Sequence, residues 1–528
     1  MILFCKFRKH FSFNAIPRPE GIGKGKRGLL LRKRLFGASL MAMTTTDEVL
    51  AWNWEHSYSQ LPNRCFSKVD PTPVAAPRLF AFNEALADDL GLREGQTASP
   101  DALAEIFSGN RIPAGAQPLA MAYAGHQFGH LTNLGDGRAI LLGEHIDPAG
   151  RRHDIQLKGS GQTPYSRSGD GRAALGPMLR ELLISEAMAA LGIPTTRSLA
   201  VVETGEKVYR DDALPGAILV RTAASHLRIG TFVLFAAMED REMLEALLTY
   251  TISRHYPDLA AAANPALALL EAVALRQAEL VAQWLSVGFV HGVLNTDNVA
   301  LSGETIDYGP CAFIDRYHPT AVYSSIDRRG RYAYGNQPGI TAWNLARFAE
   351  SLLPLIHPDQ DTAMAQAQEK LQQFEPAYDA AWLRRMGPKL GIAEPTTADK
   401  ALIEDWLNLL EQHRLDFTNS FRALAGDDNH EQQGMAHADF IAWRKRLDQR
   451  LSTSDPIAVQ QLRDASNPRQ IPRNHAVQKA LDAAEAGDPS PFFAALAILR
   501  SPFESNSDTQ FSATPSAGDQ VHTTFCGT

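Results

Sequence analysis

Residues 265–310 constrain the fold of this chain more than any other stretch. PALALLEAVALRQAELVAQWLSVG (265–288) places apolar residues at helical spacing and stops at Gly288, which predicts one long helix. It runs into HGVLNTDNVALSGETIDYGP (291–310), a turn-rich loop that carries His, Asn and Asp side chains. Before this helix the dominant period is two. RRHDIQLKGSG (151–161) alternates Ile155 and Leu157 with polar neighbours and reads as a strand. HLTNLGDGRAILLGEHI (130–146) reads as strand, glycine turn, strand, and TRSLAVVET and GAILVRTA (216–223) read as further strands. Residues 70–90 read as a Pro-rich loop entering a short helix.

PMLRELLISEAMAALG predicts a helix with Pro177 at its first position and Gly192 as its C-terminal cap. After about residue 235 the pattern turns helical, and TAWNLARFAESLLPLI (341–356) points Trp343, Leu345, Phe348, Leu352 and Leu355 inward. Strands first and helices second define an α+β chain with a β-rich N-terminal lobe and a helical C-terminal lobe. The expected boundaries are 43–235 for the first, 236–500 for the second and 501–528 for a Ser/Thr/Gly-rich tail.

With 528 residues, 45% hydrophobic and 21% charged, the chain can bury a sizeable core. No apolar run is long enough for a transmembrane helix, so no membrane partner is expected. The net charge of −8 hides an asymmetry: residues 1–40 hold ten Lys/Arg and one acid, and the remainder holds 41 basic and 58 acidic residues. An acidic body argues against a nucleic-acid partner. Residues 1–42 read as a basic extension with the working start at Met41 or Met43, or as an Arg-rich transit peptide. The expected compartment is the cytoplasm in the first case and the mitochondrion in the second, and a monomer is expected. Four cysteines (Cys5, Cys65, Cys311, Cys526) are too scattered for a disulfide framework or a zinc site.

The loop at 291–310 resembles the catalytic core of a protein kinase, where H-R-D-x-x-x-x-N precedes D-F-G. His291 and Asn298 keep the spacing and Asp307-Tyr308-Gly309 stands for D-F-G, but Val293 occupies the position of the proton-accepting Asp. Asn298 and Asp307 are a candidate pair of hard oxygen ligands for Mg²⁺, with ordinary turn residues as the competing reading. Asp297 is the nearest carboxylate able to act as general base, with a simple Asx-turn as the alternative. Lys158 at a strand end and Glu181 in the next helix have the order of a kinase's phosphate-aiming pair, or are a solvated Lys and a surface Glu. LGDGR supplies Gly135, Gly137 and Arg138; SGDGR supplies Gly169, Gly171 and Arg172; RTAASHLR supplies Arg221 and Arg228. Glycine turns admit phosphate oxygens to the backbone, and Arg recognises phosphate bidentately, though a plain hairpin explains each turn equally.

YAGHQFG, LGDGRAILLGE, QLKGSGQTPYSRSGDGRAALGPMLRE, RTAASHLRIGTF, HGVLNTDN and IDYGPCAF together resemble the selenoprotein O family of protein adenylyltransferases, from about residue 50 to the C-terminus. The resemblance implies a protein-kinase-like two-lobed fold that binds ATP flipped relative to kinases. It implies transfer of AMP to Ser, Thr or Tyr hydroxyls of protein substrates, with release of pyrophosphate. It implies Gly135, Gly137, Arg138, Lys158, Asp170, Gly171, Arg221, Arg228 and Asp307 as ATP contacts and Glu181 as the partner of Lys158. It likewise implies Asp297 as base and Asn298 and Asp307 as ligands of Mg²⁺ or Mn²⁺. A relative using UTP and Mn²⁺, or a nucleotide-binding pseudokinase scaffold, are the alternatives. Family members place a redox-active Cys or selenocysteine near the C-terminus. That implies a regulatory Cys311–Cys526 disulfide drawing the tail over the active-site segment.

Overall fold

Antiparallel pairing organises the first half of the chain in the computed structural model, which describes residues 49–93, 98–127, 129–427, 431–516, 518, 521 and 523–525. The strands are β1 (Trp54–Glu55), β2 (Phe66–Lys68), β3 (Arg78–Phe82), β4 (Leu119–Met121), β5 (Ala124–Gln127), β6 (His130–Asn133), β7 (Ala139–Ile146), β8 (Arg152–Lys158), β9 (Ala173–Ala174), β10 (Arg197–Tyr209) and β11 (Ala213–Ala223). The main sheet runs β2–β4–β7–β8–β11–β10–β3, with β1 added to β7 and β9 to β11. Leu142, Ile155, Leu157, Ile218 and Val220 point to one face and pack with Leu103 and Phe107. Helices α1 (Glu84–Asp89) and α2 (Pro100–Phe107) belong to this half.

Three local readings need correction. The Pro-rich stretch 70–90 contains β3, a short edge strand paired with β10, before α1 begins at Glu84. Five residues next to Pro77 carry too little periodicity to stand out. The strands flanking LGDG exist but do not pair with each other: β6 pairs with β5, and β7 with β8. Helix α3 (Leu175–Ala190) starts two residues ahead of Pro177, because Ala174 in extended conformation already ends the preceding strand. Pro177 still falls in the first turn, where its missing N–H is harmless. Gly192 takes φ +74°, as a left-handed helix stop requires.

Helices dominate from α4 (Ile229–Ala237) onward. α5 (Pro265–Ser286) is opened by Asn264, whose side chain accepts from Leu267 N, and Gly288 beyond its end has φ +76°. β12 (Phe289–Val290) pairs with β13 (Ala312–Phe313), so the 291–310 loop is pinned at both ends. α6 begins at Gln337 and ends at Ile356; Trp343, Leu345, Phe348 and Leu352 are buried, and Leu355 only partly. α7 (Phe374–Leu390) packs on α5. Near the C-terminus α8 (Asn474–Glu485) and α9 (Ser490–Leu499) return to α3. Glu485 Oε1 accepts from Gly176 N at 2.9 Å, and Arg180 donates to Gln478 Oε1 at 2.9 Å. No helix among the described residues is long and apolar enough to cross a membrane.

One buried cation sets a pH test of this helical half. Lys389 is 3% exposed, with Nζ 4.5 Å from the Phe421 ring centre. Burial, reinforced by Arg422, lowers its pKa to about 7. The unfolded lysine titrates near ~10.4. Between these values the unfolded chain binds more protons, so stability rises with pH from about 7 to about 10 and the full penalty applies below that window. Lys389→Met should stabilise the protein at neutral pH by at least ~1 kcal/mol and flatten that rise. Urea unfolding at neutral and at alkaline pH measures both effects; a less stable variant at neutral pH would contradict them.

Candidate active site

The polar residues of β8 do not face water. Asp154, Gln156 and Lys158 are buried along with Ile155 and Leu157, so both faces of the strand are covered. Burial of a polar face is tolerable only where each group finds a partner. Lys158 Nζ donates to Glu181 Oε2 at 2.6 Å and to Asp307 Oδ1 at 2.7 Å. Arg221, cross-strand from Gln156, donates from Nη1 to Glu181 Oε1 at 3.1 Å and to Asp307 Oδ1 at 2.6 Å. Arg228 Nη1 reaches Asp307 Oδ2 at 3.2 Å and the Asp297 carbonyl at 2.8 Å. Three cations therefore enclose two carboxylates, leaving a positive surplus. Lys158, Glu181, Arg221 and Arg228 have side chains exposed by less than a tenth, whereas Asp307 is 23% exposed and forms the opening.

Burial alone would raise the Asp307 pKa, but Lys158, Arg221 and Arg228 hold it well below the usual carboxylate range. Its backbone takes φ +63°, an unusual conformation for a residue other than glycine, at the D-Y-G turn. His291 anchors the other end of the loop: its Nε2 lies 2.9 Å from Ile306 O, and its backbone N donates to Gln337 Oε1 at 2.9 Å. Asn298 Nδ2 donates to Val293 O at 2.7 Å.

Asp297 differs from its neighbours. Its Oδ1 is buried without a hydrogen-bond partner, and burial pushes its pKa up to about 6. Gly125 of β5 lies directly against it: a Cβ there would sit 2.2 Å from Oδ1. The remaining glycine turns lie further along the sheet. Gly135 has φ +89° and packs under the Tyr165 ring, and Gly137 approaches the Tyr165 carbonyl. Arg138 O accepts from Gly159 N. Asp170 is not drawn into the Asp307 cluster; it pairs with Arg210 at 2.8 Å. Gly171 takes φ +70°, and its carbonyl accepts from Gly161 N. Arg172 donates to the carbonyls of Thr72 and Pro73. Cys311 is buried, and Cys526 lies outside the described residues.

Sequence reasoning missed three supports. Gln156 accepts from Arg221 Nη2 at 2.6 Å and donates to Asp136 Oδ2 at 3.2 Å. Asp136, buried in the LGDGR turn, also accepts from Met121 N at 3.1 Å. The Tyr123 ring lies under the Arg228 guanidinium, 4.4 Å from its centre.

The family model described as Protein adenylyltransferase SelO matches residues 48–500. "Protein nucleotidyltransferase YdiU" of Bacillus cytotoxicus is 52% identical over 92% of this chain and 100% of the relative. The proteins of the same name from Geobacillus kaustophilus and Nitrosococcus oceani are 55% and 51% identical, over 90% and 91% of this chain and 99% and 98% of theirs. Among solved structures, ROP2 from Toxoplasma gondii, a virulence factor with a protein-kinase fold and no enzymatic activity, covers 63% of this chain and 88% of its own at 12% identity and a TM-score of 0.23. The chain is thus an enzyme, a protein nucleotidyltransferase on an α+β frame. It belongs to the SelO family.

The contact between Gly125 and Asp297 gives a test. Gly125→Ala should displace the Asp297 carboxylate and cut the nucleotidyl-transfer rate by about 10²-fold, the penalty of a misplacement near 1 Å. The melting temperature should stay close to wild type, because β5 sits off the main sheet. Wild-type turnover in this variant would contradict the packing.

Proposed function

We propose that this nucleotidyltransferase moves AMP from ATP to Ser, Thr or Tyr hydroxyls of protein substrates and releases pyrophosphate. The observation that carries the reading is the replacement of the kinase base by Val293, with Asp297 four residues on, half-buried, raised to about 6 and unpartnered at its buried Oδ1. A carboxylate of that kind suits a general base. The acceptor oxygen attacks the α-phosphorus, its proton passes to Asp297, and the bond from the α-phosphorus to the bridging oxygen breaks. Pyrophosphate departs with that bonding pair.

The developing charge on pyrophosphate asks for fixed cations, and Lys158, Arg221 and Arg228 supply them. ATP then lies flipped relative to a kinase, with its β and γ phosphates on this cluster. Gly135, Gly137, Arg138, Asp170 and Gly171 are assigned nucleotide contacts in the same proposal. Asn298 and Asp307 would hold Mg²⁺ or Mn²⁺. Hard oxygen donors suit either ion: Asn298 keeps Oδ1 available because its amide nitrogen is engaged by Val293, and Asp307 is held ionised. Among the described residues no cluster of three His, Cys, Asp or Glu offers another metal site, and two protein ligands plus substrate phosphates match the habit of Mg²⁺. When bound, the ion would neutralise phosphate charge.

The tail enters the proposal through Thr524, whose Oγ1 donates to Pro310 O at 2.6 Å and whose N donates to Tyr323 O at 2.7 Å. That contact brings the chain near Cys526 to the residue beside Cys311. A regulatory disulfide between them is proposed, and equal activity with and without dithiothreitol would end it.

Incubation with α-labelled ATP, γ-labelled ATP or α-labelled UTP, followed by intact-mass analysis, tests the reaction. Label and AMP mass should appear from α-labelled ATP alone; phosphate mass, or UMP mass in preference, would overturn the proposal. Asp307→Ala should abolish transfer, and Asp297→Ala should slow it by about 10²–10⁴. Full activity in Asp297→Ala beside a dead Asp307→Ala would remove Asp297 from the role of base.

A further inference from the structure

A basic surface borders the 291–310 loop at Asn295 and Thr296. The segment IDRRGRYAYG (326–335) supplies Arg328, Arg329 and Arg331, and α6 supplies Arg347. Arg331 lies over the Trp343 ring at 4.6 Å and Arg347 over the same ring at 5.2 Å. Two guanidinium groups on one indole repel each other unless an anion is near. The local carboxylates provide it for Arg347 but not for Arg331. Asp327 accepts the backbone amides of Arg329, Arg331 and Tyr332, and Glu350 pairs with Arg347 alone at 2.6 Å. Among the described residues no ion pair joins Arg328, Arg329 or Arg331 to a carboxylate, and Nε and Nη2 of Arg331 are buried without an acceptor. Arg328 and Arg329 are exposed.

This surface touches the catalytic loop directly. Tyr332 donates its hydroxyl to Asn295 Oδ1. The His126 ring sits edge-on to Trp343 at 5.3 Å, and His126 N donates to Thr296 Oγ1 at 2.9 Å. Burial and then the fields of Arg347 and Arg331 lower the His126 pKa to about 4, so the imidazole is neutral and adds no charge of its own. The arrangement stands out against the rest of the chain, which outside residues 1–40 has 41 basic and 58 acidic residues.

We propose that Arg328, Arg329, Arg331 and Arg347 bind an acidic segment of the protein substrate, placing Asp, Glu or a phosphorylated residue next to the acceptor hydroxyl. The inference rests on the reading of Asp297 as the base that meets that hydroxyl. Stacking on Trp343 pre-orients the two inner guanidinium groups, so little side-chain freedom is lost on binding. The two exposed arginines supply longer-range attraction that salt screens. An acidic acceptor also explains why, among the described residues, a strongly acidic protein leaves Arg328, Arg329 and Arg331 without a carboxylate partner.

The test uses the full chain and two probes, a random Glu–Tyr copolymer and a random Lys–Tyr copolymer, with binding read by fluorescence anisotropy. Wild type should bind the Glu–Tyr copolymer more tightly by about tenfold or more, with the preference falling as salt rises. Arg328→Gln/Arg329→Gln/Arg331→Gln should lose that preference, while ATP titration stays unchanged. Arg328→Glu/Arg329→Glu alters exposed positions only and should reverse the preference even where the triple variant folds poorly. Arg444→Gln/Arg446→Gln, distant exposed arginines already paired to Asp448 and Asp405, should leave it intact. Equal binding of both copolymers by wild type, or unchanged Glu–Tyr affinity in the Arg328/Arg329 variant, would overturn the proposal. Label from α-labelled ATP on the Glu–Tyr copolymer should track affinity. Absence of AMP label on every acceptor, with copolymer preference intact, would count against the transfer reaction and leave the acidic-binding surface standing.

Discussion

Asp307 is the charge around which the rest of the structure is arranged. A buried carboxylate is tolerable only with strong compensation. Here Lys158 and Arg221 share one oxygen and Arg228 takes the other. Each cation comes from a different place: Lys158 from the end of β8, Arg221 from β11 and Arg228 from the residue capping α4. Meeting at one carboxylate, they fix the sheet against the 291–310 loop. Three cations against two carboxylates leave a fixed positive surplus, which Asp307, 23% exposed, opens to water.

Glu181 extends this network into α3. In kinases the equivalent Lys–Glu pair depends on a movable helix. In this chain Glu181 is held by two cations, and α3 is also gripped from outside by α8 and α9 through Gly176–Glu485, Arg180–Gln478 and Arg500–Glu186. Phe80 of β3 packs on Phe492 and Phe493 of α9, which ties the sheet edge to the same clamp. The C-terminal helices therefore keep the pair assembled, and a helix displacement would have to break all of these contacts together.

The order of strands and helices was legible because hydrophobic period changes where the architecture changes. The Lys158–Glu181 pair and the loop bearing His291, Asn298 and Asp307 were legible because their chemistry depends on short, fixed spacings. Gln156 and Asp136 were not, since an alternating strand such as β8 suggests a polar face in water, and only the tertiary packing shows that face to be buried. Gly125 escaped notice for a related reason: its contact with Asp297 is made across the fold, and no local pattern announces it. β3 was lost in a proline-rich background, and the α3 start was misjudged because a proline marks the first turn without marking its first residue. The arginines at 328, 329 and 331 drew no reading from the sequence, because their grouping beside Trp343 and the 291–310 loop is made by tertiary packing.

The account stands on the direction in which ATP lies between Asp297 and the cation cluster. A crystal structure with an ATP analogue carrying a methylene bridge between the α and β phosphorus atoms would measure it directly. The predicted result has the α-phosphorus nearest Asp297 and the γ-phosphate on Lys158, Arg221 and Arg228. A γ-phosphorus nearest Asp297, with the adenine end toward the cluster's interior, would contradict nucleotidyl transfer at this site.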